Sequence, residues 1–196
     1  MSTPAIRFDR VTKRFGDRAV LDDVTLEVGA ARAFCLLGRS GTGKSVTLRH
    51  IVGLIAPDSG SVLVEGRDIR SLDRRALSEA RMRMGFLFQN AALFDSMTVG
   101  DNVAFPMRRH TRLSEAEIAD RVRQKLASVG LERDIRKMPS ELSGGMRKRV
   151  GLARAMALDP PILLVDEPSA GLDPITTREI DELLVAQKDA GTTLVV

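Results

Sequence analysis

The sequence predicts an α/β fold, with a mostly parallel sheet at its centre and a helical lobe spliced into the chain. Three observations carry that prediction. Residues 33–37 form a compact apolar run without alternation, as a strand buried on both faces requires, and they lead into a glycine-rich segment at 38–43. Residues 162–165 form a second such run and end in two acids. Strands and helices alternate on both sides of a middle region that reads as mainly helical.

The elements follow in order. Residues 6–11 and 24–28 read as short strands flanking a turn at Gly16 and Asp17. A helix begins at Lys44 and stops near Pro57, before a turn at Asp58, Ser59 and Gly60. Residues 61–64 read as a strand, 72–81 as a helix and 85–88 as a strand. From Val99 to Val129 charges recur at helical spacing, with Pro106 as an interruption. Residues 145–158 form a helix that ends against Pro160 and Pro161, and 175–189 form another before a strand at 192–196. That final strand has the composition of an interior one, with nothing after it to cover it, so the sequence is expected to be incomplete at its C-terminus.

The 196 residues suit one large domain, or one domain carrying a smaller lobe. At 43% hydrophobic and 29% charged, wholesale disorder is excluded. One cysteine, Cys35, cannot form an internal disulfide, and with only two histidines a Cys/His zinc cage is disfavoured. The net charge of +4 permits contact with nucleic acid or anionic headgroups but argues for neither. Residues 1–10 lack the apolar centre of a signal peptide, and no apolar run is long enough to span a membrane.

Two motifs carry chemistry. Gly38, Arg39, Ser40, Gly41, Thr42, Gly43, Lys44 and Ser45 fit G-x-x-x-x-G-K-[ST] between a strand and a helix. Small residues let successive backbone N–H groups turn toward phosphate oxygens, and the helix that follows, with Val46 in its first turn, adds its dipole. Lys44 would place an ammonium between the β- and γ-phosphates of a nucleotide, and Ser45 a hydroxyl on Mg²⁺. The run at 162–165 would deliver Asp166 to the same Mg²⁺, and Glu167 follows where a carboxylate could polarise an attacking water. Together they indicate a nucleotide hydrolase or kinase of the P-loop class. Between them lie Leu142, Ser143, Gly144, Gly145 and Met146, opening a basic helix. That helix start is a second anion site in a chain that already has one, which is simplest to explain if it closes over a nucleotide held by a partner chain.

At this point the sequence resembles the ATP-binding subunit of an ABC transporter over residues 6–196. GRSGTGKS resembles that family's Walker A, LSGGM its signature, ILLVDE its Walker B and SAGLD its D-loop, while Gln89 stands at its Q-loop. The resemblance implies a P-loop NTPase (RecA-like) core with an antiparallel β edge, at residues 1–90 and 159–196, and an inserted helical signature subdomain at 91–158, the whole C-terminally truncated. It implies a head-to-tail ATP-sandwich homodimer in which Ser143, Gly144 and Gly145 contact the opposite nucleotide and Asp173 crosses the interface. It assigns catalysis to Glu167, Lys44 and Gln89, and Mg²⁺ to Ser45, Gln89 and Asp166. Phe15 stands where the family stacks an aromatic ring on adenine, the alternative being a core phenylalanine. Two departures stand out. Met146 replaces the usual Gln, and the family's switch histidine is absent; His50 and His110 lie elsewhere and read as packing or surface residues.

The wording of residues 87–89, 92–94 and 102–106, with Met146, is similar to the phospholipid-transport branch (lipid-asymmetry and toluene-tolerance systems). That branch implies integral membrane permease subunits, a mammalian-cell-entry-type substrate-binding protein, and a peripheral place on the cytoplasmic face of the bacterial inner membrane. Leu93, Phe94, Met97 and Val99 would form an apolar patch that either receives a permease helix or packs the lobe. The alternatives are an ATPase subunit importing amino acids or other small solutes, and a non-transport P-loop ATPase or non-hydrolysing fragment. A specific nucleic acid partner is not expected, because no long heptad arms separate the two motifs.

Overall fold

A computed structural model describes residues 3–39 and 41–196. Two four-stranded sheets form its frame. The first, ordered β2-β1-β4-β5, joins β1 (Ile6–Phe15), β2 (Arg18–Val28), β4 (Ser59–Val64) and β5 (Arg67–Asp68), all antiparallel. The second, ordered β3-β8-β7-β6, joins β3 (Ala33–Phe34), β8 (Thr193–Val195), β7 (Ile162–Val165) and β6 (Met84–Leu87), all parallel. β6 and β7 pair although the whole helical insert lies between them, and β3 pairs with β8 from near the other end of the chain.

β7 is buried at every position, which is why its sequence shows no alternation. β1 alternates instead, burying Ile6, Phe8 and Val11 against α1 (Lys44–Ile51). Each such side chain contributes roughly 1.5–3 kcal/mol by leaving water. The first two strands run further toward the turn at Gly16 and Asp17 than their hydrophobic pattern alone indicates, because backbone pairing continues to Phe15 and Arg18. α1 is shorter than its pattern suggests. Left-handed Gly53 (φ 66°) closes it, the amide of Leu54 donating to the Arg49 carbonyl.

The insert holds α3 (Val99–His110), α4 (Glu115–Ala127) and α5 (Gly144–Ala155); α2 (Arg74–Met82) precedes it and α6 (Pro174–Asp189) follows β7. Pro106 lies inside α3 without ending it. Val99, Val103 and Met107 bury one face of that helix at i, i+4, i+8, and Thr98 caps it, which offsets the lost N–H. The insert has no core of its own: Val103, Leu126 and Val150 share one apolar cluster with Leu163 and Val165 of β7.

Candidate active site

The cradle is built on the turn from β3 into α1. Gly43 caps α1 at φ 100°, and a Cβ there would lie 3.0 Å from the Val20 carbonyl, so both backbone shape and space exclude a larger residue. Arg18 donates to the Gly41 carbonyl at 2.8 Å, and the Thr42 hydroxyl to that of Arg39 at 2.8 Å, fixing the curl of the loop. The first turn of α1 carries no acid and no side-chain cap, so its N–H groups are free for an anion. Val46 turns the other way and packs on the antiparallel-sheet cluster. Ser40 lies outside the described residues.

Lys44 folds over this loop, its ammonium donating to the Gly38 carbonyl at 2.8 Å and the Arg39 carbonyl at 3.1 Å. The same ammonium sits 3.3 Å from Glu167 Oε1. Gln89 Nε2 donates to Glu167 Oε2 at 3.0 Å, and the Ser45 hydroxyl donates to Asp166 Oδ1 at 2.8 Å. Five predicted residues, Lys44, Ser45, Gln89, Asp166 and Glu167, thus converge from α1 and the ends of β6 and β7, although 121 residues separate Ser45 from Asp166. Asp166 is buried at the carboxyl end of β7, its amide held by the Leu87 carbonyl of β6. Ser45 and Asp166 present hard oxygen donors within one ion's reach, a pair that leaves the remaining positions to phosphate and water, as Mg²⁺ prefers.

Glu167 takes a left-handed backbone (φ 45°), a conformation that costs a residue with a Cβ about 1–3 kcal/mol. Ala91 and Ala92, just after Gln89, are also left-handed (φ 58° and 47°). α5 grips both turns. Arg154 donates to the Ala91 carbonyl at 2.6 Å and the Ala92 carbonyl at 2.8 Å, and its burial lowers its pKa from the usual arginine value. Lys148 donates to the carbonyls of Glu167, Pro168 and Ala170. Neither cation stands out in the sequence, where 147–157 reads as a basic helix. The available signal was register: Gly145, Lys148 and Leu152 share one face at helical spacing, and the outer two are residues a buried face would hold.

The signature residues are brought together with Asp173, but not with the cradle. Ser143 caps α5, its hydroxyl oxygen accepting from the Met146 amide at 3.2 Å. Met146 packs its side chain on the insert's apolar cluster, so no amide function is asked of it there. Gly144 opens the helix, and Gly145 faces α6 so closely that a Cβ would lie 2.3 Å from Thr176 Cγ2. Asp173 caps α6, accepting from the amides of Ile175 and Thr176 at 3.0 Å each and from the Thr176 hydroxyl. That hydroxyl, then the backbone amides, hold the Asp173 carboxyl below the usual carboxylate range. Phe15 is half exposed at the end of β1, with the Lys13 ammonium 5.5 Å from its ring centre, so it is no core residue. His50 is buried in α1 with Nδ1 on the Val46 carbonyl, and burial lowers its pKa; His110 is exposed at the end of α3.

Beside Gln89 an apolar groove of about 430 Å³ opens between β6 and the insert, lined by Phe86, Phe88, Phe94, Phe105, Pro106 and Arg154 among others. Asn102, fully buried, shapes its wall by accepting from the Phe94 amide and donating to the Phe94, Met97 and Thr98 carbonyls. Among the described residues no helix is long and apolar enough to cross a membrane.

A family model described as "ABC transporter" matches residues 21–170. The probable ribonucleotide transport ATP-binding protein mkl of Mycobacterium leprae is 50% identical over 195 residues, which are 98% of this chain and 56% of that protein. The intermembrane phospholipid transport system ATP-binding protein MlaF of Haemophilus influenzae is 44% identical, over 97% of this chain and 72% of its own length. Among solved structures, the dimeric post-hydrolysis state of the ATP-binding cassette MJ0796 bound to ADP and Pi superposes with a TM-score of 0.89 at 34% identity, covering 97% of this chain and 86% of that one. The chain spans little more than half the length of the mkl relative.

Proposed function

The chain belongs to the ABC transporter family, and from that premise we propose that it is the ATP-binding and hydrolysing part of a transporter that moves phospholipid between inner and outer membranes. The observation that carries the hydrolase reading is the meeting of Lys44, Gln89 and Glu167 over the Ser45–Asp166 pair. Residues 1–90 and 159–196 act as the nucleotide-binding part, and 91–158 as the lobe carrying the signature.

The geometry gives each group a task. The loop amides from Gly38 to Gly43 and the α1 N-terminus bind phosphate oxygens. Lys44 leaves Glu167 for the phosphates, because a phosphate offers it more negative charge than one carboxylate does. Glu167 is then free to accept a proton from water, while Gln89 stays within reach of the same oxygen cluster. Ser45 and Asp166 hold Mg²⁺, which supplies charge neutralisation on the phosphates when bound. Phe15 offers its exposed face to adenine, and Ser143–Gly145 and Asp173 serve the nucleotide of a second copy bound head to tail. The Phe94–Phe105 groove receives a permease helix, which places the chain on the cytoplasmic face of the inner membrane.

The lipid reading is supported by residues 87–89, 92–94, 102–106 and Met146, and by the MlaF relative. The higher identity to mkl favours a second reading, transport of a ribonucleotide-like or other small solute. Copurifying the full-length protein from detergent-solubilised membranes separates them. Recovery of a permease with a mammalian-cell-entry-type protein supports lipid transport. Recovery of a permease with another kind of solute-binding protein removes the lipid assignment and leaves the ATPase in place.

A further inference from the structure

A buried cation lies outside the phosphate cradle. Lys148 is 5% exposed, and its ammonium has no carboxylate partner among the described residues. It donates instead to three backbone carbonyls, those of Glu167 (3.0 Å), Pro168 (2.6 Å) and Ala170 (3.0 Å). An ammonium has three N–H groups, so its capacity is filled by one turn of chain. A lysine in a mostly apolar setting is costly to bury, and a neutral amide or an apolar side chain would pack α5 at less desolvation cost. Desolvation does pull its pKa down, and the charge of Glu167 opposes that shift. What the charge provides is directional: three carbonyls that would otherwise point apart are drawn to a single centre.

The turn that it draws together begins with Glu167 in a left-handed conformation and ends in the segment leading to Asp173. A strained residue persists only where its surroundings over-determine it. Among the described residues the carboxylate of Glu167 is held by the side chains of Lys44 and Gln89, and Lys44 leaves it when phosphates enter. The backbone of Glu167 therefore needs an anchor that is independent of the nucleotide. Lys148 is that anchor, and it stands on α5, whose first residues follow Ser143.

We propose that Lys148 is a positioning residue for ATP hydrolysis. It holds the Glu167 backbone so that the carboxylate keeps its place after Lys44 has moved to the phosphates, and it ties that carboxylate to the helix whose N-terminus meets the nucleotide of the second copy. This rests on the reading of Glu167 as the general base.

The test uses the full-length protein with Lys148→Met, which keeps the stem and removes every donor, and Lys148→Gln, which keeps two. Steady-state phosphate release and equilibrium binding of ATP are measured for both, alone and combined with Glu167→Gln. The expected result is a kcat lowered about tenfold to a hundredfold in Lys148→Met, the cost of a base displaced by about an ångström. Lys148→Gln falls between it and the parent. KM and the binding constant for ATP stay within about twofold, since Lys148 touches no part of the cradle. In the Glu167→Gln background either substitution adds no further loss, because a base already lost cannot be misplaced. If Lys148→Met does not fold, the same criteria apply to Lys148→Gln. A kcat unchanged in the folded variants overturns the proposal, as does a loss shared equally by ATP binding or one fully additive with Glu167→Gln. If Glu167→Gln itself hydrolyses at the parental rate, the general-base reading falls first and the positioning role falls with it.

Discussion

The cradle and the signature end of α5 are both helix N-termini opened by small residues, yet they are built to opposite ends. At the cradle, side chains from three elements converge and satisfy one another: Lys44 with Glu167, Gln89 with Glu167, Ser45 with Asp166. At the signature, Ser143 caps its own helix, Asp173 caps the next, and their side-chain bonds stay within α5 and α6. Gly145 illustrates the difference. In the cradle, Gly43 is required by backbone shape and by the approach of Val20; at the signature, Gly145 is required because α6 packs against it. A loop can resemble an anion site and still be explained by packing. The first site is chemically assembled within one chain, and in the proposed head-to-tail dimer the second serves a nucleotide held by the other copy.

The strongest way to break that contrast is to separate the two halves. Lys44→Ala removes the cradle's cation, and Ser143→Arg blocks the signature end. Each alone should abolish phosphate release, whereas a mixture of the two should recover activity, because one composite site in the mixed dimer keeps both intact halves. No recovery would place the whole site in one chain. Next in size is Gly145→Ala. Its new Cβ meets Thr176 Cγ2 at 2.3 Å, and chemical denaturation should show a loss of about 1–3 kcal/mol without nucleotide. Thr176→Ser removes that methyl and should restore most of the stability; if it does not, the packing account of Gly145 fails.

Phe15→Ala sharpens the cradle side. Loss of one stacking face should weaken nucleotide binding about tenfold in a titration, with little change in the melting temperature, since the ring is half exposed. The smallest effect concerns Asp173. Its carboxyl is held below the usual value of 3.8 by the Thr176 hydroxyl and two amides, so the ionised form favours the folded state. That stability is present above the unfolded value and lost as pH falls through the folded one. Urea midpoints of the parent and Asp173→Ala should differ slightly at neutral pH and converge on acidification below 3.8.

Much of the fold was legible because local patterns coincide with buried faces. The run at 162–165 is β7 residue for residue. The run at 33–37 is not the strand buried on both faces that its composition predicts: only Ala33 and Phe34 form β3, and Leu37 is 92% exposed, because β3 is an edge strand of the parallel sheet. Pro106 was misleading as punctuation, since the helix around it is held by its buried face rather than by the bond the proline removes. The cradle residues were legible as a motif because phosphate binding needs particular backbone shapes at fixed spacing.

The sequence alone therefore determined the class of fold, the cradle from Gly38 to Ser45, and the pair Asp166 and Glu167, because each is written as a local pattern of residue types at fixed spacing. Tertiary structure alone decided which distant groups meet. It put Gln89 on Glu167 across 78 residues, turned Gly145 into a packing contact with Thr176, and buried Lys148 and Arg154 on the carbonyls of two strained turns. A cation's partners depend on where the chain returns in space, and carbonyl partners leave no mark in a sequence because every residue has one.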